Sequence, residues 1–411
     1  MTKEFAIDNA SLLFLALMRK KYTNIFRFSM TLKEPIRPDV LQTAVDRIYR
    51  RFPTIICGFR PGFFHYIQFP AKQPPQVQPD PGCLITMPIS QIHTCAFRVF
   101  YQDKTISIEA FHATTDGYGA TVCISTLVAE YLRLLYGMEI PPAMPLRSLE
   151  EDFQDFEVAD DFITHQGGKP LLVPSRYAYQ IPGDAQLSQP ITTTCHSYLT
   201  KDILDAAHRY GVSANTLIST VMATSVMEMQ VRHQGENAGK PVRIMVPCDL
   251  RRLYASRTLR NFVLYTLPTM EPSERHMPIE KLMQKFQHEI RSQMDKSRLS
   301  SIMAYNVGTQ RAWYFRMMPW VLKRTALRIG YRFFGESNSS ITVTNLGNVK
   351  FPEQMQAHVE DFQVMLTPRV SSPFGCTVMS YGDKISMNVC SFCRESELND
   401  IFREHMARVL S

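Results

Sequence analysis

The residues best suited to chemistry are His112 and Asp116, in the run Phe111-His112-Ala113-Thr114-Thr115-Asp116-Gly117. The preceding Thr105-Ile106-Ser107-Ile108-Glu109-Ala110-Phe111 alternates at period two and reads as a buried strand. A long helical pattern follows, from about Gly119 to Tyr136, with Val122, Leu127, Val128, Tyr131, Leu132 and Leu135 on its buried face and Gly137 as its stop. An imidazole at a strand end stands at the lip of a rigid sheet, where a substrate can reach it. Neutral imidazole titrates near working pH and can take a proton from an attacking hydroxyl or amine. Asp116 can brace the loop through a salt bridge, and Gly117 tolerates the backbone of a sharp strand-to-helix turn. The same residue types also fit a hydrogen-bonded histidine that simply closes a strand.

Other chemistries find little support. Cys390-Ser391-Phe392-Cys393 has redox or zinc spacing but no second ligand pair, and it ends a strand pattern. His65, His93, His165, His196, His208 and His233 show no metal-ligand spacing, so no metal is expected. Gly335-Glu336-Ser337-Asn338-Ser339 lacks the last glycine of a nucleophile elbow. Gly117-Tyr118-Gly119 lacks the third glycine of a dinucleotide fingerprint, and no Walker loop occurs.

The elements that must position the motif are readable around it. Asp8-Asn9-Ala10-Ser11 caps a short apolar helix. Ile25 to Leu32 is a strand. Pro38 opens a helix with Val40, Leu41, Ala44, Val45 and Ile48 as its stripe. Phe63 to Phe69 and Thr94 to Tyr101 read as strands. Pro141-Pro142, an acidic run from Glu150 to Asp161, Gly167-Gly168 and Pro182-Gly183 then mark a connecting stretch. We read residues 1–165 as an N-terminal domain carrying the motif, 166–191 as a linker and 192–411 as a C-terminal domain. In the second domain, Thr200 and Ser213 cap helices ending at Gly211 and Met229. Val242 to Pro247 is a strand, and Ile279 to Met294 a helix. Ile341 to Thr344 is a strand stopping at Asn345-Leu346-Gly347. Thr377 to Tyr381 and Lys384 to Ser391 form a hairpin about Gly382-Asp383, and Glu395 to Leu410 is the last helix. Strand pairs mixed with helices argue two α/β layered domains (α+β in character) rather than one doubly wound parallel sheet.

His-x-x-x-Asp-Gly between a strand and a helix resembles the active-site motif of the chloramphenicol-acetyltransferase-like superfamily. That group includes nonribosomal-peptide condensation domains, plant BAHD acyltransferases and bacterial alcohol acetyltransferases. Three further segments share the resemblance, in family order. Phe28 to Pro53 is similar to the opening strand, helix and arginine–aromatic–proline stop. Val246-Pro247-Cys248-Asp249-Leu250-Arg251-Arg252, with Arg260-Asn261-Phe262, is similar to a segment of the alcohol-acetyltransferase-like branch, as is Thr344-Asn345-Leu346-Gly347. The resemblance spans nearly the whole chain. It implies two similar domains, each a mixed, mostly antiparallel sheet with helices, facing each other across a tunnel in a self-contained monomer. It also implies an acyltransferase in which His112 is the general base, with no covalent acyl-enzyme. Acyl-coenzyme A or an acyl carrier protein would be the co-substrate, with no bound cofactor. A small-molecule or lipid alcohol or amine would be the acceptor. Asp116 would pair with an arginine, Arg251 first and Arg252 second, although Arg251 also fits a solvated surface residue. Thr344 and Asn345 are candidates for the oxyanion contact or the tunnel lining, and they also fit a loop cap. Two departures stand out. Phe111 replaces the first of the two histidines usual in condensation domains, which leaves room for a non-catalytic binding or scaffold module. The Asp-Phe-Gly-Trp-Gly motif of the plant branch has no clear copy.

The bulk properties fit this reading. The chain has 411 residues, 45% hydrophobic and 20% charged, enough to bury two cores. A net charge of +7 is mild for the length and does not mark a nucleic-acid binder. Nine scattered cysteines, an odd number, suggest reduced thiols and a cytoplasmic setting. No apolar run approaches the length of a transmembrane helix, and the N-terminus is unlike a signal peptide. One segment is unusual. Arg311 to Phe334 has six basic residues, no acidic ones, and both tryptophans. It fits weak contact with anionic lipid. It also fits attraction of coenzyme A phosphates or an acidic carrier protein. A helix packing its aromatics on the core while its charges stay in water fits as well.

Overall fold

The computed structural model describes residues 4–183, 190–235, 239–370, 372–393 and 397–411. The chain folds into two α/β lobes of mixed, mostly antiparallel sheets with flanking helices. The first lobe holds a five-stranded sheet in the order Val359–Leu366, Ile25–Leu32, Thr105–Phe111, Phe97–Gln102, Val77–Pro79. The second holds a seven-stranded sheet. Its main path runs Val263–Thr266, Val242–Asp249, Ile341–Asn348, Phe374–Tyr381, Lys384–Ser391, Thr192–Leu199. Ile341–Asn348 runs parallel to both of its neighbours, and the other adjacent pairs on that path are antiparallel.

Each sheet packs one face on helices. Pro38–Ile48 and Gly117–Tyr136 cover the first sheet and share a core with Phe28, Met30, Ile106 and Ile108. The long helix has fourteen buried residues because both the sheet and the loops around Leu146 and Leu259 close over it. Ala214–Gln234 and Glu397–Leu410 cover the second sheet, burying Val221, Val226, Ile401 and Phe402 against Ile244, Val343 and Met387. The outer side of the first sheet is not a simple wet face. Arg27 and Glu109 sit opposite each other in register and pair at 2.7 Å, with Arg98 and Asp80 joining them. This buried charge cluster explains why Ile25 to Leu32 shows little alternation in burial.

The strand Val359–Leu366 ties the lobes together. It belongs by sequence to the second half, yet it pairs antiparallel with Ile25–Leu32 along the edge of the first sheet. Its Val364 carbonyl accepts hydrogen bonds from Thr377 Oγ1 at 2.5 Å and Asn388 Nδ2 at 3.0 Å, both on strands of the second sheet.

Several boundaries differ from the sequence expectations. The strand expected from Phe63 begins at Tyr66, because Gly62 to His65 forms a turn closed by Gly62 N–H on the His65 carbonyl. The strand expected from Thr94 begins at Phe97, because Thr94 and Cys95 finish the turn after a short helix by donating to the Gln91 carbonyl. Thr200 does not cap its helix. It occupies the first helical position after Leu199, and its buried Oγ1 finds no partner. Ser213 does cap, accepting from Thr216 N at 3.1 Å, and its helix continues past Met229 to Gln234. Residues 184–189 of the linker and the start of the last helix at Glu395 lie outside the described residues.

The long helix reaches its place through an unusually close approach. A methyl group at Gly119 would overlap the Thr115 hydroxyl and the main-chain carbonyl oxygen of Leu259, and a carbonyl cannot rotate away. A methyl at Gly117 would meet only the end of the Leu346 side chain, which can turn aside. Gly119→Ala should therefore cost about 1–3 kcal/mol through overpacking, although alanine is the better helix former. Gly117→Ala should cost less than about 1 kcal/mol. Urea unfolding of the two variants checks the ranking; equal midpoints would refute the close-approach argument.

Candidate active site at the end of the Thr105–Phe111 strand

His112 follows the last residue of its strand, and neighbouring segments hold its main chain on both sides. Its N–H donates to the Asn24 carbonyl at 2.8 Å. Its carbonyl accepts from Asn261 Nδ2 at 3.2 Å. One residue on, the Ala113 carbonyl accepts from Ser11 Oγ at 2.6 Å, which joins the loop to the first helix. That helix, Asn9–Leu17, is capped by Asp8, whose carboxylate accepts from Ser11 N.

Aromatic faces hold the imidazole ring. Phe14, from the first helix, stacks on it with centroids 4.3 Å apart and planes at 19°. Phe26, from the neighbouring strand, meets it edge to face at 5.2 Å and 90°. The ring is deep, yet the residue keeps partial contact with solvent. Nδ1 is sealed and has no well-directed partner. Burial pushes the His112 pKa below the ordinary value of 6.5, and its own carbonyl, Asp116 and Asn261 oppose that shift only in part. The ring is therefore neutral at neutral pH. Phe111 lies fully buried on the other side of the strand, edge to face with Phe59 at 6.0 Å. At this position an aromatic ring fills core space.

Asp116 does not touch the ring. It caps the long helix, accepting from Tyr118 N at 3.1 Å and Gly119 N at 3.2 Å. It also accepts from Phe262 N at 2.9 Å and pairs with Arg251 Nη2 at 2.9 Å. Arg251 is 4% exposed. It donates further to the carbonyls of Thr258 and Arg260 and pairs with Asp249, while the Tyr118 ring lies 4.4 Å from its guanidinium carbon. Burial alone would lower the Arg251 pKa, but the carboxylates of Asp116 and Asp249 outweigh it and hold the pKa above the usual arginine value. Of the two arginines considered, Arg251 is the one at Asp116, and Arg252 is exposed.

Gly117 plays a different part from the one expected. Its φ is not in the left-handed region, so the turn makes no demand that only glycine meets. Leu346 packs against the open side of the glycine, and only the movable end of that side chain would meet a methyl there. That contact brings the end of the Ile341–Asn348 strand against the motif. On that strand, Asn345 Oδ1 accepts from Gly347 N at 2.8 Å and closes its own turn, with Gly347 at φ +76°. Neither Thr344 nor Asn345 is hydrogen-bonded to residues 111–117. Among the described residues no cluster of His, Cys, Asp and Glu could hold a metal, and the thiols of Cys390 and Cys393 are unpaired. Concavities of about 490 Å³ and about 390 Å³ lie elsewhere on the molecule and do not include His112.

Sequence reasoning did not single out Phe14, Phe26, Asn261 or Ser11. Only Asn261 left a trace, inside the Arg260-Asn261-Phe262 segment. All three of those residues serve the site. Arg260 pairs with Asp8 at 3.2 Å, Asn261 holds the His112 carbonyl, and Phe262 N–H binds Asp116.

The chain matches no protein-family model and no curated protein sequence. Solved structures do share its fold across its length. The epimerization domain from the third module of tyrocidine synthetase B aligns with a TM-score of 0.62 at 12% identity, covering 100% of this chain and 96% of that one. Polyketide synthase associated protein 5 from Mycobacterium tuberculosis aligns at 0.61 and 15%, covering 98% of each chain. The trichothecene 15-O-acetyltransferase from Fusarium sporotrichioides aligns at 0.58 and 11%, covering 98% of this chain and 94% of that one. The chain thus has the two-lobed fold of the chloramphenicol-acetyltransferase-like and condensation-domain superfamily, at an identity too low to place it nearest any one branch.

Proposed function

We propose that this protein is an acyltransferase that moves an acyl group from a thioester, acyl-coenzyme A or an acyl carrier protein, to a hydroxyl or amine, with His112 as general base. The observation that carries the reading is the setting of one ring, held neutral by burial and clamped by two aromatic side chains with its Nδ1 sealed, and we assign Nε2 as the atom that meets substrate. A trichothecene O-acetyltransferase among the fold relatives supports it. The Val246–Arg252 and Thr344–Gly347 segments favour the alcohol-acetyltransferase-like branch.

In this reading the two substrates meet at His112 from opposite mouths of a tunnel between the lobes. Nε2 takes the proton from the acceptor O–H or N–H as that atom attacks the thioester carbonyl carbon. The tetrahedral oxyanion collapses, the C–S bond breaks, and the imidazolium returns the proton to the leaving thiolate. The products are an ester or amide and a free thiol, with no acyl-enzyme. Asp116 and Arg251 position the loop and exchange no proton. We assign Asn345 as donor to the oxyanion, since Gly347 occupies its Oδ1 and leaves its Nδ2 amide, with Thr344 lining the same wall. A neutral ring in an apolar clamp suits a base better than a nucleophile, because it gains its charge only as the transition state develops.

His112→Gln should lower the transfer rate by about 10²–10⁴-fold, measured as thiol release with a panel of alcohols and amines, while the unfolding midpoint stays near wild type. A rate near wild type would refute the base; no transfer by the wild type to any acceptor that it binds would favour a binding module. The pH dependence has a defined sign. The base must be neutral, and burial lowers its pKa, so kcat/KM should hold below pH 6.5 before falling in acid. Phe14→Ser should admit water to the ring and move that acid limb upward toward 6.5. A limb at or above 6.5 in the wild type would count against the site as drawn. Asp116→Ala should act mainly on stability, costing about 3–5 kcal/mol by stranding buried Arg251, and should move the acid limb downward, because the Asp116 charge is one of the influences that raise the His112 pKa. Chemical unfolding and the pH profile together check this.

A further inference from the structure

The Arg311–Phe334 segment resolves into a short helix, Trp313–Arg316, and a longer one, Trp320–Phe334. Only part of its apolar surface is buried. Phe315 and Trp320 pack inward at 8% and 7% exposure, so the core accounts for these two rings. Trp313 is 78% exposed, and Tyr314, Met317, Val321, Leu322 and Ile329 are each more than half exposed. Leu322, Ala326, Ile329 and Phe333 are spaced so that one face of the longer helix is apolar and outward. Phe63 extends the patch. It is 73% exposed, and its carbonyl accepts from Trp320 N at 2.8 Å.

The charge beside this face is of one sign. Among the described residues, none of the six basic side chains in the segment pairs with a carboxylate. Lys323 and Arg328 instead donate to main-chain carbonyls, of Phe64 and of Ala16 and Met18. Through Arg328 the helix lies along the first helix, so Arg19, Lys20 and Lys21 stand exposed nearby. A concavity of about 390 Å³ opens there, lined by Arg19, Arg328 and Arg332 with Ile329, and Glu336 is its one carboxylate. It is net positive. Burial and the charges of Arg324 and Arg19 depress the Arg328 pKa, as expected of crowded cations short of an anion.

We propose that the outward face of Trp313–Phe333, with Phe63, is a docking surface for a membrane bearing anionic phospholipids, and that the Arg19–Arg328–Arg332 concavity receives a headgroup phosphate. An exposed apolar face rimmed by unpaired cations, with Trp and Tyr at its edge, has the composition of an element lying in the lipid interface. An acidic carrier protein would satisfy the cations but would leave the long aliphatic stripe without a counterpart. No described helix is long and apolar enough to cross a membrane, so the contact is peripheral. The inference does not depend on the acyl-transfer reading.

Flotation with vesicles tests it. The full chain should float with phosphatidylcholine vesicles containing phosphatidylserine, should not float with phosphatidylcholine alone, and should lose binding in high salt. Trp313 emission should shift to the blue on binding, and Trp313→Phe should abolish that shift while buried Trp320 reports no change. Leu322→Glu with Ile329→Glu should end binding with the unfolding midpoint unchanged, since both side chains are exposed. Arg19→Gln and Arg332→Gln should each weaken partitioning about fivefold. No vesicle binding by the wild type, binding indifferent to these variants, or a Trp313 shift produced by an acidic acyl carrier protein and not by vesicles would overturn the proposal.

Discussion

One buried carboxylate organises the centre of this molecule. Asp116 accepts from two N–H groups of the helix it caps, from Phe262 N–H across the lobe boundary, and from the guanidinium of Arg251. A carboxylate removed from water is costly unless its lone pairs are occupied, and here they are. Arg251 is bound as completely, by Asp249 and two carbonyls. The pair therefore fixes three segments at once: the strand-to-helix loop, the turn after Val242–Asp249, and the start of Val263–Thr266. Because His112 lies in that loop, its position is set by a charge it never touches.

The histidine is treated in the opposite way. Its surroundings offer rings where Asp116 has donors, and nothing there compensates a positive charge fully. Two ionisable groups four residues apart thus live in contrasting media, one among hydrogen-bond donors and one among aromatic rings. The main chain makes this possible. The Asn24 and Asn261 contacts on the His112 backbone spare the ring from anchoring itself.

Much of this was legible in the residues. The alternating strand, the helix ending at Gly137, and the His112–Asp116 spacing are local patterns, and local patterns survive into structure. The Arg251 partnership was legible only through the family-like Val246–Arg252 segment, since nothing in residues 111–117 points to a partner well over a hundred residues away. Phe14 and Phe26 were illegible for a plainer reason. A phenylalanine against an imidazole looks in sequence like a phenylalanine in any core. Gly117 was read as a backbone requirement, but its φ makes none, and its close neighbour is the movable end of Leu346, a contact with no signature at the glycine itself. The strands Thr192–Leu199 and Val359–Leu366 escaped because both carry polar residues at spacings that break simple alternation; one is a largely exposed sheet edge, and the other is set by contacts with both sheets.

The strand Val359–Leu366 also constrains how the protein is made. On the ribosome, Ile25–Leu32 emerges roughly 330 residues before the partner that covers its edge. At about 5–20 residues per second, that edge waits for tens of seconds with its row of N–H and C=O groups unpaired with another strand. During that interval the nascent first lobe is an incomplete sheet, open to any extended segment that passes. Assembly of the two halves is thus the event that closes the sheet, and the seam where His112 sits takes shape only after Val359–Leu366 has been made.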